Sequence, residues 1–160
     1  MRTIKFRGKR CDNGEWVYGH YLESTKTWHG CHPHKAWILT DAMTNGGFFA
    51  LLGRHAVINE SVGQFTGLYD KNGEEVYEGD ILRYPAEDKF DEENFVSFEV
   101  FWHDNDCAYN HVGWQMNRHH FHGNICGTRD ISTFLPKYTK KMVVIGNIHD
   151  NPELLKGGEK

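Results

Sequence analysis

Histidine is the residue type in this chain with the most obvious chemical potential, since 11 of the 160 residues are histidines. Six of them fall into two segments, each with a nearby cysteine: His29, Cys31, His32 and His34, then His119, His120, His122 and Cys126. Imidazole and thiolate are ligands that zinc prefers, and two loops could together complete a tetrahedral site. However, the spacings match no standard zinc module, and surface loops also collect histidines. We therefore assign no metal ligand and no cofactor, and we expect the purified protein to hold no intrinsic metal.

Covalent or acid–base catalysis would have to use other side chains. Cys107 with His111 as a base, or the carboxylates of Asp104 and Asp106, are the pairs that the sequence offers. Closeness in sequence does not bring such groups together, because catalysis needs a defined geometry in space. The chain also contains no nucleophile elbow, phosphate-binding loop or dinucleotide fingerprint. The sequence thus predicts no catalytic residue, and a His/Cys metal-dependent enzyme is the least favoured function.

The overall charge disfavours nucleic-acid binding. The chain has 18 Lys and Arg against 22 Asp and Glu, a formal charge of -4, whereas nucleic-acid binders are usually basic. The N-terminus is a local exception, with basic residues at Arg2, Lys5, Arg7, Lys9 and Arg10. Their alternation with apolar residues and glycine is typical of the solvated face of a strand. A continuous basic stripe on that strand would be the feature that favours nucleic acid.

Size and composition indicate one ordinary folded domain over residues 1–160. A hydrophobic content of 39% and an aromatic content of 14% are ample for a packed core. We find no apolar run near the ~18 residues of a membrane span and no secretion signal, so we expect a cytoplasmic protein without a membrane partner. The four cysteines have no paired metal-site spacing and are expected to be free thiols.

The elements that must position any site are strands, and the clearest signal lies at residues 63–82. Asp70-Lys71-Asn72-Gly73 predicts a hairpin turn with Gly73 in the left-handed conformation, between antiparallel strands through Phe65 and Tyr77. Gly79-Asp80 then predicts a bend before the next strand at 81–84.

Apolar runs and alternation predict further strands, at 3–9, 16–22, 36–39, 48–52, 56–58, 96–102, 114–116 and 142–145. In the second of these strands Trp16, Tyr18, His20 and Leu22 should share one face. In the strand at 96–102 the even positions should face the core, so that Val96, Phe98, Val100 and Trp102 are more buried than Ser97 and Glu99. Asn151 followed by Pro152 predicts a short C-terminal helical turn.

Three separated blocks carry a resemblance to a known family. They are Ile4-Lys5-Phe6-Arg7, the stretch from Ser61 to Leu82, and the stretch from Val144 to Leu155. Their content, order and spacing resemble the YopX family, whose members are encoded mainly by phages and prophages. The resemblance implies a β-rich fold related to SH3-type barrels and implies little about activity. The segment 24–49 and the histidine-rich run around His119 match no pattern of that family.

Together these observations predict a mainly β protein with an SH3-type barrel-like core. Long variable loops are expected at about 24–49 and 103–140, with a short helical segment at the C-terminus. The favoured function is that of a phage or prophage accessory protein, a non-catalytic module that binds another protein. The alternative is a nucleic-acid-binding barrel protein.

Overall fold

The computed structural model describes residues 3–23, 36–40, 53–87, 96–104, 112–119, 131–133 and 136–155. These residues form a mainly β structure, as predicted. The strands are β1 Phe6–Lys9, β2 Trp16–Glu23, β3 Ala36–Thr40, β4 Gly53–Val57, β5 Gly63–Tyr69, β6 Glu75–Tyr77, β7 Asp80–Arg83, β8 Ser97–His103, β9 Gly113–His119, β10 Ile131–Thr133 and β11 Val143–Asn147. Helical structure in these ranges consists of single turns: α1 Pro136–Thr139 and the 3-10 turns Asn59–Ser61 and Pro152–Leu155.

The chain divides into two compact units, residues 1–65 and 66–160, and β5 runs through the boundary. The assignment of 1–160 as a single domain stays a prediction. None of the described helices is long and apolar enough to cross a membrane.

The first unit is an antiparallel sheet in the order β4-β3-β2-β1-β5. Its core consists of Ala36, Ile38 and Val57, against which Phe6, Val17 and Val62 pack. The strands predicted at 3–9, 16–22 and 36–39 are confirmed as β1, β2 and β3. The strand predicted at 56–58 begins earlier in the sequence, at Gly53, because the residues of β4 pair with the whole length of β3. The strand predicted at 48–52 lies outside the described residues.

The second unit contains an antiparallel sheet in the order β10-β9-β8-β7-β11. One face of this sheet carries the core, whose fully or almost fully buried members are Val76, Leu82, Val100, Met116 and Met142. The predicted strands at 81–84, 114–116 and 142–145 are confirmed as parts of β7, β9 and β11.

Over the residues that the structure describes, each sheet has two edge strands that do not pair with each other, so neither sheet forms a closed barrel. The SH3-type core therefore stays a prediction. The C-terminal segment takes the form of one 3-10 turn, in which the Leu154 N–H donates to the Asn151 carbonyl at 3.0 Å.

The central hairpin forms as predicted, with β5 and β6 adjacent in their sheet. The Asp70 N–H donates to the Glu74 carbonyl at 2.9 Å and closes the loop. Gly73 has a φ of 86°, which confirms the left-handed conformation expected from the turn sequence. The sequence predicts this conformation locally, because glycine has no Cβ and adopts positive φ without a steric penalty.

Replacing Gly73 with valine is expected to lower the free energy of unfolding by about 1–2 kcal/mol, the usual cost of left-handed backbone for a residue with a Cβ. A Cβ at this position would meet no atom within 4 Å, so the loss would report backbone strain alone. Urea denaturation of the parent, Gly73→Val and Gly73→Asn measures it. Asparagine tolerates positive φ and should lose less than valine. Equal stability of all three proteins would contradict the strained turn.

The predicted burial along β8 is confirmed at the centre of the strand and wrong at its ends. Val100 is fully buried and Phe98 packs on the core, so the even positions do face it. Yet Trp102 is 43% exposed, whereas Ser97 is only 3% exposed. The Ser97 hydroxyl donates to the Leu154 carbonyl at 2.9 Å, so the C-terminal turn covers this end of the opposite face. Tertiary contact thus overrides the alternation at Ser97.

Candidate binding surface

Most of the chemically suggestive residues lie outside the described ranges. This holds for His29, Cys31, His32, His34, Cys107, His111, Asp106, His120, His122 and Cys126. His119 ends β9, and Asp104 is exposed just after β8. Within the described ranges no group of three His, Cys, Asp or Glu side chains is placed to hold a metal ion. The expected absence of an intrinsic metal stays a prediction.

Cys11 is an exposed cysteine thiol, not part of a disulfide, in the turn between β1 and β2. Partial desolvation raises the pKa of its thiol, and the Asp12 carboxylate raises it further. A raised pKa lowers the fraction of thiolate at neutral pH, and the thiolate is the nucleophilic form. The raised pKa therefore disfavours the thiolate form of Cys11.

The basic residues of β1 lie on the side of the first sheet that faces away from its core. The antiparallel register pairs Arg7 with Tyr18 and Lys9 with Trp16, while Phe6 and Val17 point to the core. Sequence alternation predicted this arrangement, because side chains of a strand alternate between its two faces.

The cations on this side of the sheet are engaged by aromatic rings. The Lys5 ammonium lies 5.5 Å from the centre of the Tyr18 ring, and the Arg7 guanidinium carbon lies 4.7 Å from that of Trp16. Arg7 is only 7% exposed, so its charge is not available to a phosphate in solution. The continuous exposed stripe that would favour nucleic acid is therefore interrupted at its middle residue.

A shallow cleft opens beside these residues, and we call it the first-unit cleft. It is lined by Thr3, Ile4, Lys5, Tyr18, Gly19, His20 and Leu39 and has a volume of about 260 Å³. Small-molecule sites usually measure about 300–1,000 Å³, so this cleft is more suited to one side chain of a partner than to a cofactor. Ile4 and Tyr18, which line it, are exposed by 59% and 45%. Leu22 does not line the cleft, but it lies four residues after Tyr18 on the same face of β2 and is exposed by 46%.

Gly19 lines the first-unit cleft and lies where β2 and β3 approach each other closely. A Cβ at this position would overlap the carbonyl oxygen of Leu39, and it would also lie 3.2 Å from Cγ2 of Ile38. A glycine in a strand often marks such a close approach of two backbones. The close pairing of β2 with β3 therefore depends on a missing side chain.

The two units carry opposite net charges. Residues 1–65 contain eight Lys and Arg against five Asp and Glu, a difference of +3, and residues 66–160 contain ten against seventeen, a difference of -7. These two values add to the total of -4. The electrostatics of the first unit thus favour an acidic partner.

Comparison with known proteins decides the family. The model of the YopX protein family matches residues 5–156, almost the whole chain. The chain belongs to the YopX family. This confirms the resemblance carried by the three sequence blocks.

The fold is also known from a solved structure. The crystal structure of protein EF1440 from Enterococcus faecalis is similar to 98% of this chain and 100% of that one, with a TM-score of 0.54 and 22% identity. A likeness at this identity concerns the fold alone. No curated protein matches the chain.

In this YopX chain the family-like blocks and the cleft overlap only in part. The blocks fall on the start of β1, on β5 to β7, and on β11 with the last 3-10 turn. Lys5 lies in the first block, whereas Tyr18, His20 and Leu39 lie outside all three. The family model nevertheless covers Lys5, Tyr18, Gly19, His20 and Leu39, so most of the cleft lining lies within the family match.

Sequence reasoning missed a polar surface in the second unit, on the face of the sheet opposite its core. There His103 and Asn117 have buried ring and amide atoms without a hydrogen-bond partner in the described part of the chain, and Gln115 is 1% exposed. The one sign of this surface in the sequence was the alternation of residues 96–102. Continued by one residue, it places His103 on the face opposite the core. The surface offers buried hydrogen-bonding groups, and burial of such groups is a feature of binding sites as well as of cores.

Proposed function

We propose that this chain is a cytoplasmic phage or prophage accessory protein that binds another protein without catalysing a reaction. The first-unit cleft is the contact surface in this proposal. One observation supports it above the others: Ile4 and Tyr18, which both line this cleft, are exposed, and Leu22 is exposed on the same face of β2 as Tyr18. Grouped exposed apolar residues often mark interaction sites.

The composition of this surface favours a protein partner. Tyrosine is enriched among residues that dominate binding energy, and Tyr18 also holds the Lys5 ammonium above its ring. The volume of about 260 Å³ suits one apolar side chain inserted between Ile4, Tyr18 and Leu39. Since the first unit has a charge difference of +3, the partner segment should carry carboxylates beside that side chain.

An SH3-type core, expected from the family resemblance, belongs to the same proposal. Barrel surfaces of this kind commonly serve recognition, although fold alone does not specify a function. Nucleic-acid binding by the same surface is less favoured, because Arg7 is only 7% exposed and interrupts the basic stripe.

The test compares the parent protein with variants that change only exposed side chains. Tyr18→Glu and Leu22→Glu place a carboxylate on the proposed surface, whereas Tyr69→Glu changes a tyrosine of similar exposure, 50%, in the second unit. Each protein is used as bait in cells that carry the phage or prophage, with and without nuclease. The captured protein is then purified, and its Kd for each variant is measured.

We expect one protein to be retained by the parent and by Tyr69→Glu after nuclease treatment. Loss of a central tyrosine should weaken its purified complex by at least about thirtyfold, the equivalent of about 2 kcal/mol. If the parent and the three variants bind the captured protein with equal affinity, the first-unit cleft is not the contact surface. Capture that disappears with nuclease would contradict a protein partner and favour nucleic acid.

A further inference from the structure

The second unit holds a cleft that is independent of the proposed protein contact, and we call it the lysine cleft. It has a volume of about 410 Å³ and is lined by Lys71, Tyr84, Pro85, Ala86, Glu87, Lys140 and Lys141. We propose that it binds a nucleotide, either free or as one residue of a single strand. The lysines would contact the phosphate and Tyr84 the base.

The three lysines come from distant parts of the chain and are brought together by backbone hydrogen bonds. Lys71 lies in the central hairpin turn, and its N–H donates to the Met142 carbonyl at 2.8 Å. Lys140 and Lys141 lie in the turn before β11, where the Lys141 N–H donates to the Tyr138 carbonyl at 2.9 Å. These hydrogen bonds join the hairpin to the segment that leads into β11, and they fix the backbone that carries the lysines.

Such a cluster is unusual in an acidic unit. Residues 66–160 hold seventeen Asp and Glu, yet none of the three lysines has a carboxylate partner among the described residues. Grouped like charges repel one another, and an anion in the cleft would relieve that repulsion. Phosphate is a common anionic partner of lysine in proteins.

The remaining wall of the cleft is suited to a planar ring. Tyr84 is 45% exposed and its ring lies edge-on to Phe98, with centroids 6.3 Å apart, which supports it from behind. Tyrosine rings serve as stacking platforms for nucleic-acid bases. The volume of about 410 Å³ falls within the range of about 300–1,000 Å³ that is usual for small-molecule sites.

Among the residues that the structure describes, Glu87 is the one carboxylate that lines the lysine cleft. Its negative charge would repel an anionic ligand, so removing this charge should change the affinity in the direction opposite to removing a lysine. Glu87→Gln should tighten nucleotide binding, whereas loss of a lysine should weaken it.

The experiment is calorimetric titration of the full chain with adenosine 5′-monophosphate, with adenosine, with inorganic phosphate and with oligodeoxythymidylate. We expect the mononucleotide to bind at least about tenfold more tightly than adenosine or phosphate alone, because each of these lacks one half of the contacts. The oligonucleotide alone could bind, with the same dependence on Tyr84 and the lysines. That result would support the proposal and show that the bound nucleotide belongs to a single strand.

Matched variants identify the cleft. The double variant Lys140→Gln, Lys141→Gln should weaken binding by about tenfold for each lysine, the effect of losing a charge-assisted hydrogen bond. The double variant Lys9→Gln, Arg54→Gln removes the same charge from the first unit and should leave binding unchanged. Tyr84→Phe should retain binding and Tyr84→Leu should lose it, with melting temperatures showing that both remain folded.

Several results would overturn the proposal. These are the absence of saturable binding by either the mononucleotide or the oligonucleotide, phosphate binding as tight as that of the mononucleotide, or equal losses in the two double variants. None of them depends on Tyr18 or Leu22, so this test and the test of the protein contact can fail separately.

Discussion

Replacing Asp70 with alanine is expected to lower the free energy of unfolding by about 3–6 kcal/mol, from the loss of several hydrogen bonds to a charged acceptor. Asp70 is 4% exposed. Its Oδ1 accepts from the N–H groups of Asn72 at 2.7 Å and Glu74 at 2.9 Å. Its Oδ2 accepts from the N–H of Val144 at 3.1 Å, so one carboxylate connects the central hairpin to β11. Alanine would remove the acceptor that the Val144 N–H shares with the two turn N–H groups, so the hairpin would lose its side-chain link to β11.

The variant Asp70→Asn separates the two roles of this carboxylate. Its amide oxygen can keep the bonds to Asn72 and Glu74, whereas its amide nitrogen would face the Val144 N–H, donor against donor. Urea denaturation should place it between the parent and Asp70→Ala, and hydrogen exchange should accelerate at Val144. Asp12→Ala, which removes an exposed aspartate paired with Arg10, serves as the control and should leave stability nearly unchanged. Parent-like stability of Asp70→Ala would show that the carboxylate does not join these segments.

Replacing Gly19 with alanine is expected to destabilise the first unit by about 3 kcal/mol or more, at the upper end of overpacking effects. The added Cβ would overlap the Leu39 carbonyl oxygen, and a backbone atom cannot move aside without separating β2 from β3. Gly8→Ala is the matched comparison, because its Cβ would meet only the Val57 side chain, at 3.0 Å.

Denaturation followed by hydrogen exchange distinguishes these two glycines. We expect Gly19→Ala to lose more stability than Gly8→Ala and to expose the amides that pair β2 with β3. The first-unit cleft should lose its shape in the same variant, since Gly19 and Leu39 line it. A smaller loss for Gly19→Ala than for Gly8→Ala would contradict the close backbone approach.

Much of the strand pattern could be predicted from the sequence because its signals are local. Turn chemistry at Asp70 to Gly73 and alternation in β1 and β2 depend on residues a few positions apart. The same alternation placed Tyr18 and Leu22 on one face of β2, although only the structure shows that both are exposed. The three family-like blocks likewise determined the family without a structure.

Only the tertiary structure decided how far each side chain is buried and which distant residues meet. Alternation predicted that Arg7 lies on the solvated face of its strand, but its guanidinium packs over Trp16 and it is only 7% exposed. Ser97 is buried because a turn more than fifty residues away covers it, whereas Trp102 is 43% exposed although alternation placed it on the core side. Lys71 meets Lys140 and Lys141 only because the hairpin bonds to the turn before β11. Periodicity reports which way a side chain points, whereas burial and convergence depend on what the rest of the chain packs against it.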